Sequence, residues 1–218
     1  MPRPRDQAAR RKLLLDAAVQ VINDRGPARM QMKDVADMAG MATGSVYYYY
    51  DNVDELLRHV HAMAFDRYYT ARKDAVAALA DPRDKLRTMV DKGLPRPQDE
   101  PLSLALYQVE VAKARDPRHA DMITRLCGEQ TRLYQQILDE GTAAGCFRPT
   151  LATGSIAANL ISLEDGYGLA LATGNHDYDY AQARHLVLEA AAGWTQCPEL
   201  LTGPQPSPDG AASPASAR

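Results

Sequence analysis

The apolar residues of this chain recur at steps of three and four positions through almost every long segment. This spacing places them on one face of an α-helix, whereas a half-buried strand needs strict alternation of apolar and polar residues. Alanine and leucine are abundant, while valine, isoleucine, phenylalanine and threonine are sparse, which also favours helices over strands. We therefore predict an all-α fold of about nine helices.

Glycine, proline and capping residues divide this pattern into separate helices. Pro95 and Pro97 exclude a helix interior over residues 93–97, so we expect a loop there. The segment 198–218 is dominated by proline, glycine, serine and alanine, and we expect it to be disordered. The expected helices span residues 6–24, 32–39, 43–50, 53–80, a segment opening at Pro82, and then 101–115, 117–144, 153–172 and 178–194.

The overall charge excludes nonspecific binding of nucleic acid by the molecule as a whole. The 218 residues include 25 lysines and arginines against 28 aspartates and glutamates, a formal net charge of -3. Broad nonspecific binding needs a cationic surface that attracts phosphates. Any contact with DNA must therefore be local.

The cysteines and the N-terminus indicate a protein of the cytoplasm. Cys127, Cys146 and Cys197 are far apart in sequence and form no C-x-x-C pair, so we expect neither a disulfide framework nor a zinc site. No apolar signal region follows Met1, and no segment approaches the ~18 apolar residues that a membrane span needs. We expect no metal, no cofactor and no membrane partner.

Residues 31–50 contain two short helices joined by a tight turn at Gly40. In the second helix, Val46 and Tyr50 lie four apart and form the inner face. Small and hydroxyl-bearing residues on the outer face, together with a helix N-terminus, suit a helix that enters the major groove. An ordinary amphipathic hairpin without a ligand remains the alternative from these residues alone. The outward set is Thr43, Gly44, Ser45, Tyr47 and Tyr48.

Residues 10–57 resemble the DNA-binding domain of the TetR family of regulators. A helix with paired alanines, a glycine, an apolar-Ala-x-x-Ala-Gly turn and a Gly-x-x-Tyr-x-x-aromatic helix follow one another in the family's order. The resemblance implies a three-helix helix-turn-helix domain followed by a helical bundle. The matching residues are Leu14, Ala17, Ala18, Gly26, Val35, Ala36, Ala39, Gly40, Gly44, Tyr47, Tyr50, Leu56 and Leu57.

The resemblance also assigns roles to residues of the second short helix. It implies phosphate contacts from Tyr48 and Tyr49, and base contacts from four residues at and after the start of this helix. Three positions depart from the family pattern. Ala42 stands where a serine or threonine cap is usual, the usual threonine before the first short helix is replaced around Met30 and Gln31, and Val53 replaces a lysine that clamps the DNA backbone. The implied base contacts come from Thr43, Gly44, Ser45 and Tyr47.

Local basic residues can compensate for the missing lysine. Residues 1–12 hold five basic residues against one acidic residue, whereas residues 13–57 hold three basic residues against seven acidic ones. We therefore expect Arg10, Arg11, Lys12 and Lys33 to supply most of the attraction for phosphates. Arg3 and Arg5 precede the first expected helix and are interpreted equally well as part of a solvated tail or as contacts to the minor groove or the DNA backbone.

The segment after Val53 shows no sign of catalysis. It contains no nucleophile paired with a base at a recognisable spacing and no glycine-rich phosphate loop. His59 and His61 are two apart, so they point to different helix faces and are expected to be surface residues. We do not expect an enzyme.

Residues 163–169 resemble the corresponding segment of the BetI-type subgroup of the family. They place Glu164 beside Asp165 in an apolar helix, where buried acids need partners. One interpretation gives these acids a structural role in an interface or a cap. The other makes them part of an aromatic and acidic cavity for a cationic, amine-like molecule. The candidate cavity residues are Tyr68, Tyr107, Glu110, Tyr134 and Glu164.

The sequence thus predicts a homodimeric transcriptional regulator, most simply a repressor. Residues 1–52 are expected to bind double-stranded operator DNA, and residues 53–197 to dimerise and hold a small-molecule inducer. The resemblance implies that two apolar C-terminal helices meet their two-fold mates as a four-helix bundle. One alternative is a helical interaction protein that has lost DNA binding. A small helical enzyme acting on the ligand is a third, weaker hypothesis.

Overall fold

The structure, a computed structural model, describes residues 4–96, 101–113 and 115–202. Within these ranges the chain forms nine α-helices and two short 3-10 helices with no strand, which confirms the all-α prediction. None of the described helices is long and apolar enough to cross a membrane. The α-helices are α1 (Pro4–Arg25), α2 (Met32–Met38), α3 (Thr43–Tyr47), α4 (Val53–Ala77), α5 (Pro82–Gly93), α6 (Pro101–Lys113), α7 (Pro117–Ala143), α8 (Thr153–Ala172) and α9 (Tyr180–Thr195).

Side-chain caps explain why several helices begin where they do. The Asn52 side chain accepts a hydrogen bond from the Glu55 amide at the start of α4, and Asp81 and Asp116 accept from amides at the starts of α5 and α7. Such caps satisfy amides that have no partner within the helix. At α2, Gln31 forms a reciprocal capping box with Asp34 in place of the family's threonine.

The helix α3 is shorter than predicted. It ends at Tyr47 rather than at Tyr50, because the amides of Tyr49 and Tyr50 both bond to the Val46 carbonyl and close the chain into a turn. Its N-cap, Ala42, makes no side-chain cap bond.

Helical structure also continues past residue 197, where the sequence predicted the folded part to end. Residues Pro198–Leu201 form a 3-10 helix with the Leu200 side chain buried, so the expectation of disorder from Pro198 onward is wrong for these residues. The buried Leu200 side chain holds this proline-containing segment against the rest of the protein. The rest of the predicted tail, residues 203–218, lies outside the described residues.

The first hydrophobic core lies in the N-terminal part of the molecule, which we call the head. It joins α1, α2 and α3 to the first three turns of α4. Leu102, Ala105 and Val109 of α6 belong to the same cluster. Helix α6 is therefore packed into the head although it lies beyond residue 52 in sequence, and the proposed division between residues 52 and 53 remains a prediction.

The second core lies in the C-terminal part, the body, between α5, α7, α8 and α9. Tyr134 and Phe147 are among its largest fully buried side chains. The Phe147 ring lies directly against Gly141 of α7, where a Cβ atom would overlap three atoms of the ring. The helix thus needs a residue without a side chain at this position.

We expect Gly141→Ala to destabilise the protein by about 1–3 kcal/mol, because the added methyl group must displace a buried ring in a packed core. The matched change Gly128→Ala lies on the same helix, where the only neighbour of an added Cβ is an Arg132 nitrogen 3.8 Å away. That control should raise stability by up to about 1 kcal/mol through its better helix propensity. Chemical denaturation measures both. Equal effects of the two variants would contradict the packing interpretation.

Candidate DNA-binding surface and internal cavity

Helix α3 and its C-cap residue present two tyrosines to solvent. Tyr47 is 52% exposed and Tyr48 is 67% exposed, whereas Val46 and Tyr50 are 0% and 2% exposed. Val46 and Tyr50 thus hold α3 against the head and leave the opposite face free, as the spacing predicts. At the start of the helix, Gly44 is exposed and its two neighbours are half-buried. Contact of these residues with DNA remains a prediction.

Tyr49 does not join this exposed face. Its side chain is 8% exposed and belongs to the head core, and the Tyr48 ring packs edge-on against it at a centroid distance of 5.1 Å. Tyr49 lies three positions after the buried Val46, so it falls on the same side, which faces the head. Because the Tyr49 side chain is buried, it is not available for the expected phosphate contact.

The predicted basic residues are accessible. Arg10, Arg11 and Lys12 are exposed on α1, and Lys33 is exposed on α2. The Lys12 ammonium lies 2.6 Å from the Asp16 carboxylate, but both side chains remain at least half exposed, so this pair is easily exchanged for another anion.

The acidic residues at the start of α4 are engaged within the protein. Asp54 forms an ion pair with Lys113 from the end of α6, and Glu55 accepts a hydrogen bond from the Asp51 amide at 2.6 Å. Lys113 thereby neutralises a carboxylate next to Val53, where the family pattern has a lysine. The charge that would repel DNA at this position is reduced.

A cavity of about 60 Å³ lies between α4, α6, α7 and α8. Four of the five predicted ligand residues line it, namely Tyr68, Tyr107, Glu110 and Glu164. The fifth, Tyr134, is fully buried and donates a hydrogen bond to the Glu164 carboxylate. The sequence prediction thus identified residues that the fold brings together, although their binding of a ligand is untested.

Arg72 of α4 is a residue of this cavity that the sequence did not reveal. Its guanidinium lies 2.9 and 3.0 Å from the two Glu164 oxygens and donates to the Met89 carbonyl and to Gln130. Arg72 and Glu164 are each 3% exposed. The periodicity of α4 could have indicated that Arg72 lies on its inner face. The partner of Arg72, Glu164 of α8, is seen only in the folded structure.

The Glu164 carboxylate is confined on all sides. A Cβ atom at Gly93 of α5 would overlap it. Burial raises the pKa of the Glu164 carboxyl to about 7, against the opposing effects of Arg72 and of the hydrogen bond from Tyr134. Glu164 therefore acts first as a partner of Arg72, a structural role that is neither the interface nor the cap considered from the sequence.

Two further carboxylates at the cavity have no such partner. Glu110 and Asp165 line it, and neither forms an ion pair within the part of the chain that the structure describes. Burial, reinforced by repulsion from Asp165, raises the pKa of Glu110 to about 6. Burial also raises the pKa of Asp165, although Arg72 opposes this effect. The cavity therefore holds an excess of negative charge.

His61 is not the surface residue that its spacing from His59 suggested. His59 is exposed, but His61 is 1% exposed and lines the cavity. Its ring lies edge-on against His119 of α7, which is equally buried, at a centroid distance of 4.7 Å. The prediction failed because α6 and α7 cover a face of α4 that would be open on an isolated helix. No cluster of three or more potential metal ligands occurs among the described residues.

A helix-turn-helix head with an exposed second helix, set on a helical body, defines the class of DNA-binding transcriptional regulators. Residues 14–60 match the model of bacterial regulatory proteins of the tetR family. The chain belongs to the TetR family, whose members regulate transcription and are not enzymes.

Several bacterial proteins align with most of this chain. The regulator BetI of Paraburkholderia xenovorans is 30% identical over 184 residues, which cover 82% of this chain and 90% of that protein. The transcriptional repressor KstR2 of Mycolicibacterium smegmatis is 27% identical over 148 residues, 68% of this chain and 72% of that one. A regulator from Saccharomonospora viridis in complex with choline shares the fold, with a TM-score of 0.72 at 22% identity over 84% of this chain and 95% of that one.

The buried histidine pair predicts a loss of stability in acid. Burial, reinforced by the neighbouring His119, lowers the pKa of His61 from 6.5 to about 3. Between these two values the unfolded chain binds a proton that the folded chain does not, so stability falls as pH decreases below about 6.5. We expect His61→Phe to flatten this dependence by up to about 1.4 kcal/mol per pH unit. Urea denaturation at pH 7.5, 6.5 and 5.5 measures it, with the exposed His176→Phe as control. A slope unchanged by His61→Phe would contradict the prediction.

Proposed function

We propose that this protein is a homodimeric repressor that binds a palindromic operator through α3 and releases it when a small cationic molecule occupies the cavity. The observation that carries the DNA-binding part is the exposure of Tyr47 and Tyr48 on a helix whose other face is anchored in the head. Repression is supported by the KstR2 repressors among the relatives. The family membership disfavours a scaffold protein that has lost DNA binding.

The proposed DNA contacts follow from exposure and chemistry. The accessible N-terminal end of α3, with Tyr47, faces base edges, and the Tyr48 hydroxyl reaches a phosphate. The exposed cations of α1 and α2 attract the backbone of any sequence. Tyr49 is left out because its side chain is buried. The base-contacting residues are Thr43, Gly44, Ser45 and Tyr47, and the phosphate-contacting residues are Tyr48, Arg10, Arg11, Lys12 and Lys33.

The outer faces of α8 and α9 support dimerisation. Partly exposed small and apolar side chains recur there at helical spacing. A Cβ atom at Gly166 of α8 or at Gly193 of α9 would meet nothing within 4 Å, so another helix can approach closely at both positions. Two copies of this helix pair would form a four-helix bundle related by a two-fold axis. The stripes are Asn159, Leu163, Gly166 and Ala170 on α8, and Leu186, Ala190, Gly193 and Trp194 on α9.

The charge of the cavity favours a cation. Three carboxylates line it against one guanidinium, and that guanidinium is already paired with Glu164. Glu110 and Asp165 are left to face a positive ligand, while Tyr68 and Tyr107 supply aromatic rings that attract cations. The choline held by the Saccharomonospora viridis regulator is such a cation.

Helices α4 and α6 provide the route from the cavity to the head. Tyr107 and Glu110 of α6 line the cavity, while Ala105 and Val109 of the same helix lie in the head core. A ligand that shifts α6 must therefore shift the packing of the head. The repressor would favour the DNA-binding arrangement when empty, and the ligand's preference for the other arrangement supplies the energy for release.

The basic residues of α1 should act on all DNA sequences alike. We expect the triple variant Arg10→Gln, Arg11→Gln, Lys12→Gln to weaken binding to DNA from upstream of the protein's own coding region and to unrelated DNA by the same factor. The slope of log K against log salt should fall by about 2–3, because up to three phosphate contacts are lost. Fluorescence anisotropy at several salt concentrations measures this. The control neutralises Arg125, Arg132 and Arg148, exposed cations of the body. Affinity that does not depend on salt, or an equal effect of the control, would contradict the prediction.

The unpaired carboxylate of α6 should determine affinity for a cation. Tetramethylammonium is the probe, and calorimetry measures its binding. We expect Glu110→Gln to weaken binding about tenfold or more, because a buried charge loses its counter-ion. Binding to the unaltered protein should weaken as pH falls below about 6, where Glu110 becomes protonated.

The matched control is Asp66→Asn, which removes the same charge from an exposed position of α4. It should leave tetramethylammonium affinity unchanged. Binding only of acids or of neutral apolar compounds, with no effect of Glu110→Gln, would overturn the proposed class of ligand.

A further inference from the structure

His61 and His119 form a buried pair at the edge of the cavity. Both rings are 1% exposed, and they meet edge-on at a centroid distance of 4.7 Å and an angle of 75°. None of their four ring nitrogens has a hydrogen-bond partner among the residues that the structure describes. Buried polar groups are normally hydrogen-bonded, so four free nitrogens in one place indicate an unused binding capacity.

The pair is uncharged at neutral pH. Burial lowers the pKa of both imidazoles, and the pKa of His61 falls to about 3. A neutral imidazole has one N–H donor and one acceptor nitrogen, and its proton can occupy either position. Each ring can therefore turn a donor toward a neighbouring group without becoming charged.

The charged residues near the two histidines pair with one another rather than with the imidazoles. Asp116 accepts a hydrogen bond from the Arg118 amide at 3.0 Å, and its carboxylate lies 3.9 Å from Arg58. Asp54 is paired with Lys113. Neither His61 nor His119 therefore forms a salt bridge among the described residues.

Because His61 lines the cavity, its unpaired ring nitrogens are available to a ligand there. His61, Phe65, Tyr68 and Arg72 follow one another at steps of four, three and four along α4, so they share one face of the helix, and all four line the cavity. Pockets of this kind combine apolar walls with a few polar groups that fix the orientation of the ligand. His61 is such a group on the face of α4 that also carries Arg72.

We propose that the His61–His119 pair is a second subsite of the cavity, which binds the uncharged carbonyl oxygen of a ligand. A carbonyl oxygen needs only donors, and the neutral imidazole of His61, which lines the cavity, can supply one while His119 packs against it. The inference rests on the proposed function of the cavity as a ligand site and extends it. The ligand class becomes a small cation that also carries a ketone, ester or amide group.

The experiment uses the full chain labelled with 15N in its histidines and two probes, cyclopentanone and tetramethylammonium. Cyclopentanone should shift the ring nitrogen signals of His61 and His119 at pH 7.5. His61→Phe keeps the ring contact but removes the nitrogens. It should reduce the ratio of cyclopentanone affinity to tetramethylammonium affinity about three- to tenfold, the effect of one lost hydrogen bond. Glu110→Gln should change this ratio in the opposite direction, and the exposed His176→Phe should leave it unaltered.

The outcomes separate this inference from the proposed function. Unmoved ring signals, or the same affinity ratio in His61→Phe as in the unaltered chain, would overturn the carbonyl subsite even where tetramethylammonium binds. Binding of cyclopentanone with shifted ring signals but no binding of tetramethylammonium would uphold the subsite and overturn the cationic ligand. Failure of both probes to bind would overturn both proposals. Should His61→Phe fail to fold by circular dichroism, His119→Phe and the spectra of the unaltered chain give the same decision.

Discussion

The buried pair of Arg72 and Glu164 is the constraint on which the body of this protein depends. Its hydrogen bonds join α4 to α5 through the Met89 carbonyl, to α7 through Gln130 and Tyr134, and to α8 through the glutamate itself. Removing one partner of such a pair typically costs about 3–5 kcal/mol, because the other charge is left buried and alone. Four helices are thus held in one arrangement around the cavity, and its polar lining keeps a defined geometry.

The head and the body share helices rather than meeting at a flat boundary. Helix α4 contributes Leu56 and Leu57 to the head core and Val76 to the body core, and α6 places Val109 in the head core beside cavity residues. A rigid helix with contacts in both cores transmits displacement better than a flexible linker would. This arrangement suits the proposed mechanism, in which a small molecule would alter the spacing of two heads.

Local patterns predicted the helices and the exposed face of α3, because periodicity, caps and breakers act within one helix. Features that depend on neighbouring helices were not predictable in the same way. His61, for example, is buried against His119 of α7. Glu110 and Glu164 were identified from their positions in apolar helices, but the arginine that neutralises Glu164 lies 92 positions away. Pairing over such a distance leaves no trace in a single sequence.

The contact between Tyr107 and Gly168 has a consequence for the pair of subunits. A Cβ atom at Gly168 would overlap the Tyr107 hydroxyl, so the ring of α6 occupies a notch in α8. The opposite side of α8 carries Gly166 and the proposed contact with the second copy. In the proposed dimer, a ligand that displaced Tyr107 would press α8 toward its mate, and the two chains would sense each other's ligand. Their binding curves would then not be those of two independent sites.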